Sequence, residues 1–140
     1  MKRIANVLLA TLAVASLASP TQPALAADAP PDRVVVMYFH RVPGCPTCQK
    51  MRGYTQEAVN GAFAQELKDG KVELHFIAFE DPKNAALTKG YKVSGPSLIV
   101  ARVAGNKIAE YKSLTEMWSK VGDKQAFVDY VQNNVKDYQK

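Results

Sequence analysis

Residues 33 to 39, Arg-Val-Val-Val-Met-Tyr-Phe, are β-branched, large or aromatic at every position after the first. A strand with one face in water alternates apolar and polar side chains, whereas one without alternation is buried on both faces. Such a strand must be covered above and below, which commits the chain to helices on both sides of a sheet.

The rest of the sequence supplies the partners. His40 to Gly44 reads as a loop, punctuated by Pro43 and Gly44. A helix opens at Cys45, with Pro46 at the first helical position, where its missing N–H costs nothing. Gly53 is expected to interrupt or bend it. Thr55 to Leu67 then places Ala58, Val59, Ala62, Phe63 and Leu67 at helical spacing, and Lys68-Asp69-Gly70 ends the run. A second strand is expected over 71–79, and Asp81-Pro82 starts a short helix stopped by Gly90. A third strand over 97–103, a Gly105-Asn106 turn and a fourth strand over 107–111 form an antiparallel hairpin. Leu114, Met117, Trp118 and Val121 read as one apolar helical face, with the Trp and Met in the core. After Gly122, Asp123 caps a last helix bearing Phe127, Val128, Val131 and Val135. The order is β-α-β-α-β-β-α: parallel β-α-β units first, then the hairpin, in one four-stranded mixed α/β sheet with helices on both faces. It forms a single domain over 33–140, and a monomer is expected.

The chain ahead of that domain reads differently. Met1-Lys2-Arg3 is basic, Ile4 to Ala18 is almost wholly apolar, and Ala24-Leu25-Ala26 is a small-x-small cleavage pattern. Residues 1–26 are thus read as a secretory signal peptide and 27–32, with two prolines, as an extended lead-in. The apolar run is shorter than the roughly 20 residues a membrane span needs, so no stable membrane insertion is expected after cleavage. The location implied is periplasmic or secreted. The formal charge of +5 falls by the two cations of the leader, and the remaining Lys and Arg are scattered. So small and dispersed a surplus argues against nucleic acid as a partner.

Cys45 and Cys48 are the two cysteines of the chain. In an oxidising compartment they can pair. A staple that encloses Pro46 and Thr47 alone removes little chain entropy, so a structural role is weak. Two soft thiol ligands could take Cu(I), yet no third Cys, Met cluster or His-rich tract accompanies them. A working redox pair is the third reading.

A Cys-x-x-Cys opening a helix just after a buried strand, with Gly95-Pro96-Ser97 ahead of the third strand, resembles the thioredoxin-like superfamily over essentially the whole domain. The resemblance implies a thioredoxin-like fold, and at Pro96 a cis proline that faces the disulfide and shapes the site with Gly95. At the helix start, unpaired N–H groups and the macrodipole favour a thiolate, so Cys45 reads as the nucleophile and Cys48, one turn inward, as the more buried resolving thiol. Pro46 and Thr47 shape the site between them. Strong oxidants of the superfamily place a His where Thr47 stands, so an intermediate to reducing potential is expected.

The sequence departs from thioredoxins in three ways. Gly44 replaces the Trp before the first Cys, the loop His40 to Gly44 is longer, and Val34 to Phe39 lacks a buried acid. His40 is therefore a possible proton or charge partner, and Glu80 another, while His75 reads as structural. The function expected is an exported thiol–disulfide oxidoreductase acting through a reversible Cys45–Cys48 couple, with no metal and no cofactor beyond that disulfide. Its partners would be disulfides or thiols of exported proteins and a membrane-linked electron donor or acceptor. A Cu(I)-type dithiol module and a non-catalytic docking domain are the alternatives.

Overall fold

Strand β1 (Arg33–His40) is buried at all six positions between its ends in the computed structural model, which describes residues 32–140. The signal peptide expected at 1–26, and the extended lead-in expected at 27–32 except Asp32, lie outside the described residues. Strand β2 (Val72–Ala78) lies parallel to β1, with Val34 opposite Val72. The crossover between them is α1 (Pro46–Ala62) followed by the short α2 (Ala64–Lys68). From β2 the chain passes through a 3-10 turn at Pro82–Asn84 and α3 (Ala85–Gly90) to β3 (Ser97–Ala104). β3 pairs antiparallel with the other side of β1, and β4 (Lys107–Ser113) pairs antiparallel with β3, giving the order β2-β1-β3-β4. Helices α4 (Met117–Lys120) and α5 (Lys124–Tyr138) close the chain. This is the four-stranded mixed sheet with helices on both faces, in the thioredoxin-like arrangement.

The alternation of side chains across β1 explains why no polar residue is tolerated there. Val34, Val36 and Tyr38 join Leu98 and Val100 against Met51, Ala58 and Val59 of α1 and Phe127, Val131 and Val135 of α5. Val35, Met37 and Phe39 join Ile99 and Ala101 in a second, smaller core with Ile77 and Tyr91. Each fully buried large side chain contributes about 1.5–3 kcal/mol, so both faces are stabilised by burial alone.

The structure differs from the sequence reading in four places. α1 runs through Gly53, because buried Met51, Thr55, Ala58 and Val59 hold both sides of it. Their packing outweighs the ~1 kcal/mol a mid-helix glycine costs. The break falls instead at buried Phe63, whose φ of −129° and ψ of 30° leave the helical region. β3 runs antiparallel to β1, so only the first β-α-β unit is parallel. Met117 is core as expected, but its neighbour Trp118 is 49% exposed.

Candidate active site

β1 delivers the chain at His40 and α1 begins at Pro46, so the intervening loop carries Cys45 to the helix start. Cys45 is the N-cap of α1: its backbone is extended (φ −71°, ψ 159°) and its Sγ accepts a hydrogen bond from the Cys48 N–H at 3.1 Å. Pro46 takes the first helical position, and the Gln49 N–H donates to the Cys45 carbonyl at 2.9 Å, closing the first turn. The Gln49 side chain donates to the Gly44 carbonyl at 3.3 Å, tying the loop to the helix.

Cys45 and Cys48 are joined as a disulfide, with their Cα atoms 5.0 Å apart. Cys45 is exposed, as are Pro46 and Thr47, while Cys48 is 5% exposed. The outer sulfur can be reached by a large substrate and the inner one cannot. Beneath Cys48 the fully buried Tyr38 donates its hydroxyl to the Cys48 carbonyl at 3.0 Å. Burial pushes the Tyr38 phenol up to about 12, opposed by the nearby Arg52 cation, so it stays a donor at neutral pH.

His40 stacks on Tyr38, with ring centroids 6.4 Å apart and 20° between planes. With Arg41, Gln49 and Arg52 it borders a hollow of about 280 Å³ that also reaches Gly44 and Cys48. It therefore approaches the site from the side of the inner cysteine. Glu80 is an ion-pair partner of Arg41 at 3.2 Å, and both side chains are exposed. It offers no buried carboxylate to Cys48. His75 lies on β2, paired with Glu73 at 2.8 Å.

Adjoining the hollow beside His40, Pro43, Pro96 and Trp118 border a hollow of about 440 Å³ that reaches both cysteines and is edged by Arg41 and Gly44. Pro96 thus shares a hollow with the disulfide, but not in the cis form. Among the described residues the cis peptide bond is Val42–Pro43, in the loop itself. Pro96 enters β3 as a trans proline, the ordinary place for a residue without an N–H to donate. The Ser97 hydroxyl bonds the Gly95 carbonyl at 2.9 Å and holds that entry turn.

Four residues of the site escape the sequence reading: Tyr38, Arg41, Arg52 and Trp118. Nothing in the sequence marks Arg52. Among the described residues, no three His, Cys, Asp or Glu side chains gather as a ligand set. No helix there is long and apolar enough to cross a membrane.

No protein-family model matches this chain, and no curated protein matches it. Among solved structures, it is similar to the solution structure of a thioredoxin from Thermus thermophilus, with 20% identity, 70% of this chain and 76% of that one covered, and a TM-score of 0.35. Strand order and the cysteine pair at a helix start, rather than that likeness, define the fold.

Proposed function

We propose that this chain is an exported thiol–disulfide oxidoreductase that reduces or exchanges disulfides of exported proteins through Cys45 and Cys48. The observation that carries the reading is the exposed Cys45 Sγ at the N-cap of α1, held by the Cys48 N–H at 3.1 Å. A thiolate in that position keeps the same hydrogen bond and gains the positive end of the helix dipole. Its pKa falls below the ordinary thiol value of about 8.5, which makes it the attacking sulfur at neutral pH.

In the reduced protein the Cys45 thiolate attacks one sulfur of a substrate disulfide. A mixed disulfide forms, the substrate S–S bond breaks, and the departing substrate sulfur takes a proton from water. Cys48, deprotonated in turn, attacks the Cys45 sulfur and releases the second substrate thiol. Two electrons have then passed to the substrate and the Cys45–Cys48 bond is restored. Among the described residues no carboxylate lines the hollow beside Cys48, so its proton passes to water or to the His40 imidazole that borders the same hollow. A membrane-linked dithiol donor would reduce the pair for the next cycle. Export is supported by the leader at residues 1–26, and a reducing direction by the uncharged Thr47 between the cysteines.

Thiolate absorbance of the reduced protein, followed against pH, tests the central step. Cys45 should ionise below the free thiol and Cys48 above it, and Cys45→Ser should abolish disulfide reduction. A Cys45 that ionises like a free thiol overturns the reading. In cells, Cys48→Ser should accumulate mixed disulfides on Cys45 that identify the substrates.

A further inference from the structure

Two hollows of different character meet beside the disulfide, where they share Arg41, Gly44 and Cys48. In one of them Pro43, Pro96 and Trp118 supply apolar walls, with Arg41 at the edge. Trp118 is half-exposed there. Large apolar side chains left in water around a reactive sulfur are the mark of a surface that is covered during its work.

The other is walled by His40, Arg41, Gln49 and Arg52, with the exposed Val42 at its rim. Among the described residues, no acidic side chain lines either hollow. Arg41 is partly neutralised by Glu80 at 3.2 Å. Arg52 lies over the Phe76 ring at 4.6 Å and has no carboxylate partner among the described residues. Cation–π contact leaves the N–H groups at the guanidinium edge free to bind an anion.

A sulfur bonded to Cys45 lies where the two hollows meet, so the residues that flank it come beside both. We infer that the substrate is an extended polypeptide segment whose reacting cysteine is flanked by a large apolar side chain, seated against Trp118, Pro43 and Pro96, and by an acidic side chain, seated against Arg52 and Arg41. This rests on the oxidoreductase reading above and adds the chemistry of the partner. The two seats discriminate by different physics: the first by removal of apolar area from water, the second by charge, which salt weakens.

The test uses reduced protein and synthetic disulfide peptides that place Phe or Ala on one side of the cysteine and Glu or Lys on the other, in both chain directions. Initial rates of disulfide cleavage are compared as ratios, so a fall common to all peptides cancels. Phe should exceed Ala by about tenfold, as partial burial of an aromatic ring gives. Glu should exceed Lys by about threefold at low salt, with the difference shrinking as salt is added. Trp118→Ala should erase the first ratio and keep the second; Arg52→Gln should diminish the second and keep the first. Trp118→Phe, which retains an apolar wall, should keep most of the first and serves if the alanine variant does not fold. Equal rates for all peptides, with the small neutral hydroxyethyl disulfide still reduced, overturn this inference and leave the exchange chemistry standing. Failure to reduce any disulfide overturns both.

Discussion

Replacing Tyr38 by phenylalanine removes one oxygen from the buried floor of the site and changes no apolar contact. The hydroxyl is fully buried and donates to the Cys48 carbonyl at 3.0 Å. That carbonyl, as part of α1, still faces the amide four residues on, so its loss of a second donor leaves no orphaned acceptor. The cost should therefore sit near the middle of the usual range for one internal hydrogen bond, about 1 kcal/mol. For a domain of this size that lowers Tm by about 4–8 °C. The pH dependence gives a second, independent signature. The phenol ionises near 10 when exposed and only near about 12 in the fold, so its protonated form stabilises the native state below the lower value. As pH rises through that window the unfolded chain sheds the proton first, and the native advantage drains away. The variant has no phenol to ionise, so the gap between wild type and Tyr38→Phe should be full at pH 7 and close as pH climbs past 10. Urea unfolding of both oxidised proteins across that range measures it. A variant as stable as wild type at pH 7, or a gap that stays constant as pH passes from 10 towards 12, would refute the assignment of Tyr38 as a buried donor.

Other perturbations separate the core from the surface. Phe127→Ala opens a cavity where α5 meets α1 and Tyr54, with ring centroids now 5.7 Å apart, and should cost about 3–5 kcal/mol in chemical denaturation. Asp123→Ala removes the acceptor of the Ala126 N–H at the start of α5, a bond of 3.0 Å, and should cost about 1 kcal/mol. Glu57→Gln breaks the ion pair with Lys124 at 2.8 Å, whose ammonium it holds above the usual lysine range. The pair is exposed, so Tm should not move measurably.

The centre of the fold is legible in the sequence because β1 is buried on both faces, and that constraint acts on every residue from Val34 to Phe39. The helix start at Cys45 is equally plain, since Pro46 has few other places to stand. Edges are harder. β4 is exposed along its whole length, so neither periodicity nor burial marks where it ends, and it runs on to Ser113. Leu114, Met117, Trp118 and Val121 share helical spacing, yet that spacing misleads about Trp118. With α4 limited to Met117–Lys120, the stripe has no helix to run along. The cis expectation at Pro96 comes from likeness rather than from residues, and a proline's isomer is set by tertiary surroundings that no local pattern encodes. Arg52 is invisible for the same reason: only the crossing of α1 over β2 brings it above Phe76.

Pro46 and Thr47 lie in water and belong to neither buried core, although they separate the two sulfurs. Selection could therefore exchange them freely, shifting how eagerly the couple gives up electrons while the scaffold stays intact. Two codons on this frame could thus alter the behaviour of the pair without touching the packing beneath it. Architecture would be inherited, and redox temperament would drift.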